Sequence, residues 1–262
     1  MHLGNAWTAL LAWLSARSRG GAVVLRMEDL DPDRSKEHFA REILSDLAWL
    51  GLDWDEGPDK GGPYAPYAQS ERRDYYRRCL EELDSRGLVY PCWCTRAELR
   101  QGADAARAPH AGESEPVYAG TCLKAPADAL AARVRLGRKA SARLKVPGVR
   151  IEFEDMVLGP QVQDLGAQCG DFVLRRSDGV HAYQLAVVAD DAAQHITEVV
   201  RGADLLDSTA RQIHLYRTFG WAEPRFAHVP LLVDPDGRRL SKRRGDVDLG
   251  MLSASGVPPR AI

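Results

Sequence analysis

The sequence predicts an α/β protein, a doubly wound, Rossmann-like parallel sheet with a small α+β insertion. Three observations predict it. Residues 1–91 alternate between helical periodicity and short apolar runs, in the order helix, strand, helix, loop, helix, strand. Ala22–Met27 is short, β-branched and almost wholly apolar, as a strand covered on both faces of a parallel sheet must be. Between residues 130 and 200 the texture changes to shorter alternating segments, which reads as an insertion that later returns to the main sheet.

The elements follow in order. Asn5 is suited to cap a first helix whose apolar stripe is Leu10, Leu11, Trp13 and Leu14, ending near Gly20-Gly21. After the strand at 22–27, the acids Glu28, Asp29, Asp31 and Asp33 crowd a loop stiffened by Pro32. In an open α/β sheet, loops beyond the carboxyl ends of the strands are where ligands bind, although a run of acids also suits a solvated turn. Ser35 opens a helix with Phe39, Ile43, Leu47 and Leu50 at helical spacing, stopped by Gly51. Residues 52–68, rich in Gly, Pro and Asp, form a long loop. A helix from about Ser70 to Arg86 turns Tyr76, Cys79, Leu80 and Leu83 inward and ends at Gly87.

Leu88–Cys94 is a strand leading to Cys92-Trp93-Cys94, and Gly102–Pro116 lacks any periodicity, as a surface loop does. Strands are expected at Val134–Leu136, Val149–Phe153, Met156–Leu158 and Phe172–Arg176. A turn at Asp178-Gly179 joins the last to His181–Val188, and Tyr183–Asp191 brings the chain back to the main sheet. Strand Ile196–Arg201, a Ser208-capped helix to Gly220, strand Val229–Val233 and a turn at Asp236-Gly237 then deliver a basic loop, Leu240-Ser241-Lys242-Arg243-Arg244.

Bulk properties exclude several classes. The 262 residues, 45% hydrophobic and 27% charged, suit one large or two smaller globular domains. With a net charge of −2, nucleic acid would have to be met by local patches, at Arg238–Arg244 and Arg72–Arg78, which also suit solvated faces. No stretch approaches membrane-spanning length, and the apolar run Ala6–Leu14 lacks the basic segment that precedes a signal core. The five cysteines, an odd number, argue against a closed disulfide framework and for a cytoplasmic protein. Cys92 and Cys94, with Tyr118 and Cys122 beyond the loop, could surround one tetrahedral zinc, with reduced thiols as the alternative.

At the two ends stand features suited to phosphates. His2-Leu3-Gly4-Asn5 opens a helix, where free amides and the helix dipole favour an anion, and the distant basic loop could close over the same group. Together with Leu25–Asp31, His181–Val188, Val200–Leu205 and Leu240–Arg243, they give the chain a resemblance to the catalytic domain of glutamyl-tRNA synthetases, class I enzymes. The likeness is greatest to their short paralogues acting on tRNA(Asp), and it runs from His2 to about Arg260.

The resemblance implies that glutamate and ATP, with Mg2+, condense to glutamyl-adenylate, and that the glutamyl group passes to queuosine at the wobble position of tRNA(Asp). It implies roles for His2, Gly4, Asn5 and Lys242 in catalysis. His2, Gly4, Leu240, Ser241 and Lys242 would hold ATP, and Glu28, Tyr183 and Arg201 the glutamate. One zinc would sit on Cys92, Cys94, Tyr118 and Cys122. Arg201 could instead be a structural ion pair, and Tyr183 a core aromatic. The domain expectation is 1–91 as the first half of the nucleotide-binding domain, 92–180 as the zinc-bearing insertion and 181–262 as the second half with the basic loop. The protein is expected to act as a monomer, away from membranes.

The sequence also departs from the pattern. The family opens with a strand bearing Arg and Ser before the His tetrad, whereas this chain opens at Met1-His2, and Arg239 replaces the first lysine of the basic signature. A start placed too late or a fragment is the expectation, with poor glutamate activation as its consequence. Two other readings stay open. One is a piece of a synthetase charging tRNA(Glu), and the other is an inactive binder of glutamate, nucleotide or tRNA.

Overall fold

The computed structural model describes residues 1–33, 35–95, 97–99, 117–234, 240 and 248–262. Helix α1 (Leu3–Arg17) leads to an extended segment at 22–27, and helices α2 (Glu37–Trp49) and α3 (Arg73–Ser85) follow. Strand β1 (Val89–Cys92), short helix α4 (Thr121–Lys124) and α5 (Ala127–Arg135) precede β2 (Ser141–Leu144). Then come β3 (Arg150–Asp155), β4 (Gly159–Asp164), α6 (Leu165–Gln168) and β5 (Phe172–Arg175). The last third holds α7 (Tyr183–Ala193), β6 (Glu198–Gly202), α8 (Leu206–Phe219), β7 (Arg225–Val229) and α9 (Leu249–Ala254). Among the described residues, no helix is long and apolar enough to cross a membrane.

Two sheets organise these elements. One is antiparallel, in the order β1-β2-β5, and the other is mixed, in the order β4-β3-β7-β6. In the second, β6 and β7 run parallel around α8, with Arg201 opposite His228. The β3–β4 hairpin joins this sheet through a parallel contact of Asp155 with Phe226.

The main core lies between α3, α7, α8 and the two sheets, where Leu83, Leu174, Leu185 and Leu215 are fully buried. Truncating any one to alanine costs about 2–5 kcal/mol, because the cavity refills only in part. A second cluster ties Met1 and Ala6 to Leu47, Leu52 and Trp54 and to Leu249 of α9, so both ends of the chain share one core.

Several sequence expectations hold. In α3, Tyr76, Cys79, Leu80 and Leu83 are all buried, and Gly87 follows with φ +69°. Others are corrected. Segment 22–27 is extended but, among the described residues, joins its neighbours only through single parallel bridges, Val24 to Glu56 and Met27 to Ala68. His2, not Asn5, caps α1: its carbonyl accepts the amides of Asn5 and Ala6, so the helix has already begun when Asn5 is reached. Trp13 packs against the core as expected, whereas Leu10 and Leu14 are exposed and Leu3 and Ala9 complete the buried stripe instead. Lys36, not Ser35, occupies the cap of α2, and Phe39 is exposed.

The expected strand at 181–188 is instead helix α7, with Leu185 through Asp191 all buried. A helix enclosed on every side carries no polar face, so its apolar run cannot be told from a buried strand. Val134–Leu136 ends helix α5 and its cap rather than forming a strand, and Met156–Leu158 is the turn of the β3–β4 hairpin. The expected strand at 229–233 lies earlier, at β7. The loop expected at 102–116 and the turn at 236–237 lie outside the described residues.

Candidate active site

Segment 21–28 and strand β6 face one another across a cleft of about 690 Å³. Glu28, Tyr183 and Arg201 all line it, so three residues far apart in sequence meet at one cavity. Each arrives on a different element: Glu28 just after the extended segment, Tyr183 at the first turn of α7, and Arg201 on β6.

Arg201 is 6% exposed and held at three nitrogens. Its Nε donates to His228 Nε2 at 3.0 Å, Nη1 to Gln212 Oε1 at 2.7 Å, and Nη2 to Thr209 Oγ1 at 2.9 Å. A guanidinium carries five N–H donors, so these three contacts do not use them all, and Tyr183 also interacts with Arg201. None of these partners is a carboxylate, so the charge itself is not cancelled by them. The expectation of a structural ion pair at Arg201 therefore does not describe these contacts. Tyr183 stands beside it, and burial first, then the carboxylate of Glu28, push its phenol above the usual range.

Behind Glu28 lies a buried charge network. Arg26 contacts Asp191 at 2.8 Å, Glu28 at 3.4 Å and Asp190 at 3.6 Å. Asp190 is fully buried and accepts from Arg72 at 2.6 Å, from Gln69 at 2.9 Å and from Tyr76. Breaking one partner of such a network strands the others, at about 3–5 kcal/mol. Loss of water raises the pKa of Glu28, with Asp191 and Asp190 adding to it against the pull of Arg26. The Glu28 side chain is still 43% exposed at the cleft, which places a carboxylate where a ligand can reach it.

The phosphate candidates lie elsewhere. His2 and Gly4 do not line the cleft. His2 forms an antiparallel bridge with Asp248, and the amide of Leu249 donates to Met1 O at 2.8 Å. Residues 1–2 and 248–249 thus meet. A Cβ on Gly4 would come within 3.0 Å of the His2 ring, so the bare glycine makes room for that imidazole. Asn5 is exposed in the first turn of α1. Leu240 donates its amide to Leu232 O at 3.1 Å, while Arg239 and the residues Ser241, Lys242, Arg243 and Arg244 lie outside the described residues.

A separate cluster sits at the end of β1. The sulfurs of Cys92, Cys94 and Cys122 lie within 4.8 Å of one another, and Cys94 and Cys122 are 3.5 Å apart. Thiolates on one tetrahedral zinc stand about 3.7 Å apart, given Zn–S bonds of about 2.3 Å. The Tyr118 hydroxyl is 3.3 Å from Cys92 Sγ and 3.8 Å from Cys94 Sγ, and it accepts from the Cys122 amide at 2.8 Å. Arg133 Nη1 reaches Cys94 at 3.3 Å and Cys122 at 3.6 Å, and the Arg143 guanidinium lies 3.9 Å from the Tyr118 ring centre. All five cysteines of the chain are free thiols. This donor set can hold a metal ion, with positive charge nearby to offset the thiolates.

Sequence reasoning missed Arg26, Asp155, Asp190, Asp191, Thr209, Gln212 and His228. The one available signal was a polar residue inside an otherwise apolar run, as at His228 in Phe226–Val229 and Asp190-Asp191 after Leu185–Ala189.

A model of the family described as tRNA synthetases class I (E and Q), catalytic domain, matches residues 1–262. Glutamyl-Q tRNA(Asp) synthetases of Symbiobacterium thermophilum and Nitratidesulfovibrio vulgaris are each 52% identical over 263 positions, covering 100% of this chain and 80% of the relative. Glutamate–tRNA ligase 2 of Caldanaerobacter subterraneus subsp. tengcongensis is 43% identical, with 54% of its length covered. The crystal structure of the glutamate-tRNA synthetase from Elizabethkingia anophelis superposes with a TM-score of 0.79 at 34% identity. That match covers 94% of this chain but 50% of the other, so the chain spans about half of that protein. By fold, by full-length family match and by identity to these relatives, the chain belongs to the class I tRNA synthetases (E and Q), as a catalytic domain of mixed α/β sheets.

Proposed function

We propose that this chain activates glutamate with ATP and transfers the glutamyl group to queuosine at the wobble position of tRNA(Asp). The observation that carries the reading is the convergence of Glu28, Tyr183 and Arg201 on one cleft. Glutamate needs an anion for its ammonium and a guanidinium for its side-chain carboxylate. Glu28 and Arg201 offer these, and Tyr183 adds a hydroxyl. The free α-carboxylate attacks the α-phosphorus of ATP, forming the mixed anhydride and releasing pyrophosphate. The work left to the protein is positioning and charge stabilisation.

His2, Gly4 and Asn5 with Leu240, Ser241 and Lys242 serve the nucleotide, and Lys242 offsets charge on the leaving pyrophosphate, which bound Mg2+ would also help to neutralise. Cys92, Cys94, Tyr118 and Cys122 would hold one zinc, which would give structural stability to the insertion that bears them. The protein works as a monomer in the cytoplasm, where thiols stay reduced. The relatives matched over 80% of their length support transfer to tRNA(Asp) over charging of tRNA(Glu).

Glutamate-dependent ATP–pyrophosphate exchange, followed by transfer of labelled glutamate to tRNA, tests this. Label should enter queuosine-containing tRNA(Asp) and be absent from tRNA(Asp) lacking queuosine. Label at the 3′ end of tRNA(Glu) would establish the charging enzyme instead. Glutamate binding without exchange would establish an inactive binder.

A further inference from the structure

Arg201, His228 and Asp155 form a row across three adjacent strands, β6, β7 and β3. Arg201 and His228 are register partners, and Asp155 ends β3 beside Phe226. His228 is fully buried and Asp155 is 1% exposed. A guanidinium can only donate, so the 3.0 Å contact from Arg201 Nε requires a bare lone pair on His228 Nε2. The Thr209 hydroxyl, which accepts from Arg201 Nη2, lies 3.0 Å from the same nitrogen and can donate to it. The ring proton must then sit on Nδ1, where it meets Asp155 Oδ2 at 2.5 Å. Asp155 Oδ1 is occupied separately, by the amides of Val157 at 3.0 Å, Leu158 at 2.9 Å and His228 at 3.2 Å.

We propose that Asp155 and His228 are a positioning pair for amino-acid recognition: Asp155 fixes the tautomer of His228, and His228 aims the Arg201 guanidinium at the side-chain carboxylate of the substrate. The inference rests on the reading of Arg201 given above. Neither residue touches the substrate. Their importance lies in the direction of one hydrogen bond, because His228 with its proton on Nε2 would present a donor to a donor.

Asp155→Asn tests this with almost no change of shape. Three backbone amides already point at Oδ1, so the new carboxamide must keep its oxygen there and turn its NH2 towards His228 Nδ1. The imidazole then has to accept at Nδ1, and its proton moves to Nε2, against Arg201. In pyrophosphate exchange, KM for glutamate should rise about 10–100-fold, the usual cost of a lost bond to a charged group, while KM for ATP stays unchanged. His228→Gln offers an amide oxygen near the Nε2 position without a tautomer to set. In that background Asp155→Asn should cause no further rise in glutamate KM.

A second readout needs no substrate. With ¹⁵N-labelled histidine, the unaltered protein should show His228 with a protonated Nδ1 and a bare Nε2, and Asp155→Asn should reverse them. A protonated Nε2 in the unaltered protein would overturn the proposal. So would reversed tautomers with unchanged glutamate KM, or equal effects of Asp155→Asn with and without His228. If the unaltered protein shows no glutamate-dependent exchange, the functional reading fails, and the nitrogen shifts still decide the tautomer.

Discussion

The cysteine cluster and the cleft lined by Glu28, Tyr183 and Arg201 assemble polar residues in opposite ways. At the cluster, Cys92, Cys94, Tyr118 and Cys122 lie within one short stretch of chain, and their side chains face each other directly. At the cleft, Glu28, Tyr183 and Arg201 come from both ends of the sequence, and none is held by another of the three through a short ion pair. Glu28 is set from behind by Arg26 with Asp190 and Asp191, and Arg201 by His228 with Thr209 and Gln212. A local site can be recognised by spacing. A site built by long-range packing is recognisable only through the buried partners that hold it.

Four experiments sharpen the contrast, from the largest expected effect to the smallest. Removing the recognising charge should do most. Arg201→Ala should lower kcat/KM for glutamate by about 10²–10⁴-fold, because a charged ligand group loses its counter-charge in a cleft. The unaltered protein should in turn use glutamine far less well than glutamate. Equal exchange rates with the two amino acids would show that Arg201 does not read the carboxylate.

Next comes the support of the cleft. Asp190→Ala leaves Arg72 buried without its partner and should cost about 3–5 kcal/mol. At about 2–4 °C per kcal/mol, that is a Tm loss of roughly 6–20 °C by scanning calorimetry. A loss under a few degrees would mean that the network behind Glu28 is not what holds segment 22–28 in place.

The cluster should respond locally. Cys92→Ser should abolish one equivalent of zinc in elemental analysis and lower Tm by about 5–10 °C, since ligand loss removes metal-linked folding energy. The same variant should leave glutamate KM nearly unchanged. Arg133→Ala should weaken zinc affinity by about 10–100-fold, as partners of ligating atoms commonly do. No zinc in the purified protein would remove the metal from the reading.

The smallest effect concerns Glu28. Its folded pKa is raised, so ionising it costs stability, and that cost is absent below the unfolded pKa and complete above the folded one. Glu28→Gln should therefore raise Tm slightly near neutral pH, while weakening glutamate binding. For the unaltered protein, glutamate KM should rise as pH falls towards the raised pKa, because a protonated carboxyl no longer attracts the ammonium. A Tm that falls in Glu28→Gln at pH 7 would reverse that sign.

The sequence by itself determined the features that depend on near neighbours. Helix α3 declared itself because Tyr76, Cys79, Leu80 and Leu83 repeat on one face with solvent on the other. The cysteine cluster declared itself by spacing, and the family by stretches such as Leu25–Asp31 and Leu240–Arg243. Tertiary structure decided the rest. Helix α7 was unreadable because burial on all sides removes the polar face that gives a helix its period. The start of α1 was decided by which carbonyl the first amides could reach, which moved the cap from Asn5 to His2. Whether segment 22–27 becomes a laddered strand depends on which backbone lies alongside it, and here only single bridges form among the described residues. The protonation of His228 was the least legible of all, since it follows from Asp155 on one neighbouring strand and Arg201 on another. A residue's own type fixes its capacity to donate or accept. Only the packed fold supplies the partner that selects between them.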